Sequence, residues 1–233
     1  MNILAELLDD FISLLLPRLC HGCGNHLLRS ERIICTECYI LIPRTGFHMQ
    51  PDNPVEQLFW GRCRVEKAAT FSFYTRGSRM RKLIHDMKYK GIREIGNELG
   101  RIYGLSLAAS EFLKGTDLII PVPLHKHRMK ERGFNQSELI AAGISSVTAI
   151  PVDCMSLERI VVTSTQTRRS RYDRWENVEG IFRVSRPEVV RDKHILLVDD
   201  VITTGSTIEA CVNEILKVDG TRVSVAALAW SVI

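Results

Sequence analysis

Two runs constrain the fold of this chain more than any other feature: DLIIPVP at 117–123 and HILLVDD at 194–200. A strand with one wet face alternates apolar and polar residues. These two are almost continuously apolar, as strands buried on both faces are. Around them lie segments with helical periodicity. In GSRMRKLIHDMKYKG, Met80, Leu83, Ile84 and Met87 share one face; EIGNELGRIYGLSLAASEFL reads as a longer helix; NQSELIAAGISSV opens at Asn135 with Glu138 three residues on, as in a capping box; STIEACVNEILKV follows the second apolar run. AATFSFY and RVSVAALAWSV read as further strands. Strands alternating with helices imply an α/β fold, with a mostly parallel sheet and helices on both faces. With 233 residues, 45% hydrophobic and 25% charged, the chain can build one sizeable core and an appendage.

The appendage is N-terminal. Residues 1–17, MNILAELLDDFISLLLP, place Ile3, Leu4, Leu7, Leu8, Phe11, Ile12 and Leu15 on one helical stripe. Glu6, Asp9 and Asp10 and the lack of a basic start argue against an export signal, and the run is too short to cross a bilayer. An amphipathic helix docked on its own protein is the expectation, with attachment to a membrane surface the lesser reading. No transmembrane segment is expected, and a cytoplasmic location is. Next comes CHGCGNHLLRSERIICTEC, in which Cys20 and Cys23, then Cys35 and Cys38, form two C-x2-C knuckles. Four thiolates so spaced suit one closed, tetrahedral, structural Zn2+. A segment this small cannot bury enough apolar surface to fold alone, and a metal supplies what is missing. Residues 18–65 are therefore read as a zinc-binding module, with PRTGFHMQPDNP as a connector, and residues 66–233 as the main domain. Cys63, Cys154 and Cys211 have no context that marks a nucleophile.

In a parallel sheet, ligands bind beyond the carboxyl ends of the strands. There, ILLVDDVITTGST at 195–207 drives a buried strand into Asp199 and Asp200, and then into a loop of hydroxyls around Gly205 that opens a helix. Adjacent carboxylates can accept from a vicinal diol or hold a metal. The loop and helix start present N–H and O–H groups to an anion the size of a phosphate. A ribose 5-phosphate carries both features. A Walker B strand would require G-x-x-x-x-G-K-[ST] elsewhere, and the chain has none.

VDDVITTGST resembles the phosphoribosyl pyrophosphate (PRPP) loop of type I phosphoribosyltransferases. Together with PVPLHKHRMKERGFNQSELIA, TQTRRSRYDRWENVEGIF and the four-cysteine module, in that order, it resembles the ComF family of ComFC-type and GntX-type proteins over nearly the whole chain. The resemblance implies a type I phosphoribosyltransferase-like domain behind a zinc-ribbon-like module. It implies that Asp199 and Asp200 hold the ribose hydroxyls of PRPP, that Thr203, Thr204, Gly205, Ser206 and Thr207 cradle the 5-phosphate, and that Mg2+ accompanies the substrate. The turn from Pro121 through His125 and Lys126 corresponds to the pyrophosphate loop, with Lys126, Arg128 and Arg132 as the cations chosen for the leaving group. Gln166, Arg171 and Arg174 match a mobile loop that closes over PRPP; Arg168 and Arg169 replace the Gly-Leu of many relatives.

The acceptor is not readable. Asn2, and a cysteine module where a glutaminase domain would stand, argue against glutamine-dependent amidation. Two readings remain: phosphoribosyl transfer to an unidentified acceptor, or a non-catalytic PRPP- or nucleotide-binding protein that binds single-stranded DNA and works with competence or DNA-processing proteins. Seven Lys or Arg against one acid between Arg76 and Arg93, and the arginines at 168–174, offer a path for a phosphate backbone. Phe134, Tyr172 and Trp175 are the candidate stacking aromatics.

Overall fold

The computed structural model describes residues 17–160 and 180–231. The helix expected over residues 1–17 therefore lies, but for Pro17, outside the described residues, as do Gln166, Arg171 and Arg174. In chain order the N-terminal module contributes α1 (Thr36–Ile40) and α2 (Pro54–Gln57). The main domain follows with β1 (Ala68–Phe73), α3 (Arg79–Lys90), α4 (Glu94–Ala108), β2 (Leu118–Pro121), α5 (Lys126–Arg132) and α6 (Gln136–Thr148). It continues through β3 (Leu157–Arg159), β4 (Phe182–Val184), α7 (Pro187–Val190), β5 (His194–Ile202), α8 (Ser206–Ile215) and β6 (Arg222–Trp230).

Strands β1, β6, β5 and β2 form, in that order, an all-parallel sheet, while β3 and β4 form a separate antiparallel pair. Ile195 through Val198 are consecutively buried, so β5 is covered on both faces, as its apolar run requires. Helix α6 packs on β2 and β5 with α4 beside it, and α8 lies against β5, β6 and β4. The pair α4–α6 is unusually close. A Cβ on Gly100 would lie 2.3 Å from the Ile140 carbonyl oxygen, and one on Gly143 would lie 2.2 Å from that of Asn97. Glycine is required at both positions because backbone meets backbone there.

The topology explains where the site opens. Strand β2 pairs with β5 only from Leu118↔Ile195 to Pro121↔Val198, whereas β6 follows β5 out to Ile202↔Trp230. After β2 the chain returns through α6 to Val152 on the far side of β2; after β5 it returns through α8 to β6 on the opposite side. The two connections diverge, and a crevice forms at such a divide. Asp199 and Asp200 are the first residues of β5 past the end of β2.

The segment read as a connector is docked. Its chain runs along the free edge of β1, where Phe73 N–H donates to the Pro43 carbonyl (2.9 Å) and Thr45 N–H to that of Phe71 (3.1 Å). Buried Asn53 donates to the carbonyls of Ala68 (2.9 Å), Gln50 (3.0 Å) and Phe47 (3.3 Å), while its Oδ1 caps α2 at the amides of Val55 and Glu56. Phe47, Phe73 and Trp230 stack into one aromatic cluster. Polar composition there conceals a segment that closes the sheet edge, which would otherwise offer unpaired amides.

Candidate functional site

The acids at the end of β5 are held by two other elements. Asp199 Oδ1 accepts from the Ser137 hydroxyl of α6 (3.0 Å) and from the amide of Asp200 (2.8 Å). Asp200 Oδ1 receives the ammonium of Lys88, from α3, at 2.8 Å; both side chains are largely buried. Burial and the neighbouring Asp200 charge push the Asp199 carboxyl up to about 7, against the pull of the Asp200 amide, Ser137 and Lys88. Asn135 places Ser137 by accepting its amide (3.1 Å) and donating to the Val122 carbonyl (3.0 Å). The expected capping box is partly realised. Asn135 caps the helix, but it is the Asn135 side-chain Nδ2, not its backbone N–H, that donates to Glu138 Oε1 (3.3 Å).

Beyond the acids, Thr203, Thr204, Ser206 and Thr207 are exposed around buried Gly205. Gly205 is in the left-handed region (φ 77°), and α8 starts without a side-chain cap. The amides of its first turn are thus turned outward beside four hydroxyls, the arrangement that receives an anion. Thr204 Oγ1 and Ser206 Oγ lie 3.1 Å apart. Behind the loop stand two residues that nothing in the sequence pattern singles out. The ring of Phe59 would be 3.0 Å from a Cβ on Gly205, and Arg62 donates to the Thr204 carbonyl (2.8 Å) while pairing with Glu209.

The turn read as the pyrophosphate loop stays non-helical from Val122 to His125, but the three cations chosen for it, Lys126, Arg128 and Arg132, stand on the helix α5 that follows. His125 Nδ1 accepts from the His127 amide (3.1 Å) at the start of α5, and Gly133, at φ 74°, ends it. Lys126 and Arg128 are exposed on α5. Arg132 bonds Gln136 Oε1 (2.8 Å) and stands 5.5 Å from the Tyr89 ring centre. Tyr89 is 65% exposed and stacks on His85, with ring centres 4.8 Å apart. The basic run at 76–93 divides: Lys88 faces Asp200, whereas Lys82 and Lys90 pair with Asp86.

The four cysteines converge. Their Sγ atoms all lie within 4.8 Å of one another, with Cys23 and Cys35 at 3.7 Å. Tetrahedral zinc–thiolate bonds of about 2.3 Å would set sulfurs about 3.8 Å apart. Amides of Gly22 and Cys35 donate to Cys20 Sγ at 3.3 and 3.2 Å, that of Asn25 to Cys23 (3.5 Å), and that of Cys38 to Cys35 (3.4 Å). Burial works against ionisation of Cys20, but the amides of Cys35, Cys23 and Gly22 outweigh it and hold the thiol near 6, while burial pushes Cys35 and Cys38 up. A Cβ at Gly22 would sit 2.7 Å from Cys38 Sγ, so the knuckle closes only over glycine. The donor set and its spacing fit a closed four-thiolate zinc centre. The other cysteines are not activated: burial raises Cys63, with Glu209 adding to it, to about 11, and burial likewise raises Cys154 and Cys211.

The phosphoribosyl transferase domain model matches residues 137–230, from the α6 start that holds Asp199 to the end of β6. Fold and matched region together define a phosphoribosyltransferase-type protein. A DNA utilization protein, YhgH, of Salmonella typhimurium is 30% identical over 231 residues, covering 92% of this chain and 98% of that protein. Competence protein F of Haemophilus influenzae is 36% identical over 140 residues (58% and 59% of the two chains), and competence protein ComFC of Bacillus subtilis is 27% identical over 195 (82% and 75%). The chain belongs to the ComF family.

Proposed function

We propose that this protein binds PRPP with Mg2+ at the carboxyl end of β5 and transfers the phosphoribosyl group to an acceptor as part of handling DNA taken up by the cell. The observation that carries the reading is the uninterrupted order of buried strand, two acids, hydroxyl loop and uncapped helix. The ribose hydroxyls donate to Asp199 and Asp200, and the 5-phosphate accepts from the amides and hydroxyls of residues 203–207. Lys126, Arg128 and Arg132 offset charge that grows on the departing pyrophosphate, and Gln166, Arg171 and Arg174 close over the ligand. Mg2+, arriving with PRPP, adds charge stabilisation at the leaving group. Cys20, Cys23, Cys35 and Cys38 hold a structural Zn2+ outside the chemistry. On this reading the protein acts in the cytoplasm, where thiols stay reduced. Among the described residues no helix is long and apolar enough to cross a membrane.

The second reading, binding of PRPP and single-stranded DNA without turnover, is favoured by one feature. Tyr89, on the helix that sends Lys88 to Asp200, is exposed beside His85 and Arg132, as a base-stacking residue would be. Zinc-loaded protein incubated with PRPP and Mg2+ separates the two. Pyrophosphate released only when an acceptor is supplied supports transfer. Tight PRPP binding without release, with retention of single-stranded DNA at micromolar protein, supports the second reading. Failure to bind PRPP contradicts both.

A further inference from the structure

The loop at 203–207 has Gly205 buried and its other four residues exposed. Its side chains are small and outward-facing, and each residue so held costs about 1–2 kcal/mol of backbone entropy. Something must fix it, and the fixing groups come from the N-terminal segment, 142 residues away in sequence. Phe59 is fully buried and its ring lies against Gly205, the position where the loop turns left-handed. Arg62 binds the carbonyl of Thr204 at 2.8 Å and the carbonyl of Leu58, in its own segment, at 3.0 Å. In a trans peptide the C=O and the following N–H point in opposite directions. Anchoring the Thr204 carbonyl on Arg62 therefore directs the Gly205 N–H away from Arg62. Arg62 also pairs with Glu209, an acid in the first turn of α8 whose charge would otherwise oppose an anion at that helix start.

We propose that Arg62, seated by Phe59, is a positioning residue for the 5-phosphate subsite, which is thus a composite of the N-terminal segment and the phosphoribosyltransferase-like domain. The proposal rests on the reading of residues 203–207 as the 5-phosphate loop. Arg62 acts through the loop rather than on the ligand, since its donors face Thr204, Leu58 and Glu209. The segment it belongs to is itself tied to the domain. Glu56 accepts the Ala68 amide (3.2 Å) and Asn53 donates to the Ala68 carbonyl (2.9 Å), so Arg62 is presented from a braced base.

The prediction is selective. Removing Arg62 loosens only the half of the site that reads the 5-phosphate, and leaves the half that reads pyrophosphate. Calorimetric titrations of wild type, Arg62→Ala and Arg62→Lys with ribose 5-phosphate, PRPP–Mg2+ and pyrophosphate–Mg2+ test this. Arg62→Ala should weaken ribose 5-phosphate and PRPP by roughly 10- to 100-fold and leave pyrophosphate within about twofold, the loss expected for hydrogen bonds to a charged group. Arg62→Lys, which keeps the charge without the two-armed geometry, should recover part of the loss. If Arg62→Ala does not fold, as judged by its thermal melt, the lysine variant carries the test, with the same selectivity at smaller size. Wild-type protein that binds PRPP while the variant binds all three ligands equally well overturns the proposal alone, as does equal weakening of all three. Wild-type protein that binds neither PRPP nor ribose 5-phosphate overturns the PRPP reading and takes this proposal with it.

Discussion

The cysteine cluster and the acidic site are built in opposite ways. The cluster draws all its ligands from the stretch between Cys20 and Cys38, and its amide donors come from the same stretch. At the acidic site, Lys88 and Asp200 are 112 residues apart and Ser137 and Asp199 are 62 apart. The first is local in sequence, with every donor inside one short stretch. The second has no existence until sheet, α3 and α6 are assembled. Loss of one part should accordingly be all-or-none in the cluster and graded in the site.

The largest effect is expected at the cluster. Wild-type protein should carry about one zinc per chain, and Cys20→Ser with Cys35→Ser should lose it, because structural zinc contributes on the order of 10–16 kcal/mol to folding of such modules. Full zinc in the purified double variant would break the comparison at its first half. A smaller loss is expected when Lys88 is removed. Lys88→Ala leaves Asp200 largely buried without its cation and should cost about 2–4 kcal/mol in denaturant unfolding, and the Lys88→Ala, Asp200→Asn pair should recover most of it. Additive losses in that cycle would mean that the pair is not a unit.

The smallest effect is a pH dependence. Asp199 is held at about 7, and hydroxyl donors favour its ionised form, so PRPP–Mg2+ should bind about tenfold tighter at pH 8 than at pH 6. Asp199→Asn should flatten that part of the profile. In the free protein the sign reverses. The carboxyl is raised from 3.8, so the folded state binds its proton more tightly than the unfolded state, and the stability this gives at low pH is lost as the pH rises through about 7. Unchanged pH dependence in the Asn variant would assign the titration elsewhere.

How much was legible in the sequence follows the same division. The cysteine knuckles were readable because spacing alone specifies them. Strand β5, its acids and the loop into α8 were readable because an unbroken apolar run that meets two carboxylates marks the point where a buried strand reaches solvent. Helix α5 was not, since KHRMKER lacks an apolar stripe and is set by His125 at one end and Gly133 at the other. Strands β3 and β4, three residues each, are too short for periodicity to register. Residues 43–54 passed for a connector because they are rich in proline and polar residues, and a polar side chain bound to backbone carbonyls, as Asn53 is, looks like surface in a composition count; Arg62, just beyond, escaped notice for the same reason. Lys88 was visible only as one charge in a basic run; what distinguishes it is its neighbour in space. The spacing of Gly96, Gly100 and Gly104 was a readable signal of close helix packing that the hydrophobic periodicity overshadowed.

On the proposed function, the strand-end acids and the loop they lead into bind PRPP. Calorimetric titration of PRPP with Mg2+ into wild-type protein and into Asp199→Asn, Asp200→Asn tests it most directly. The double variant removes charge-assisted bonds to the ribose diol at about 1.5–3 kcal/mol each, incompletely additive, so affinity should fall roughly 10- to 1,000-fold while the thermal melt still reports a folded protein. A folded double variant that binds PRPP as tightly as wild type would contradict the assignment.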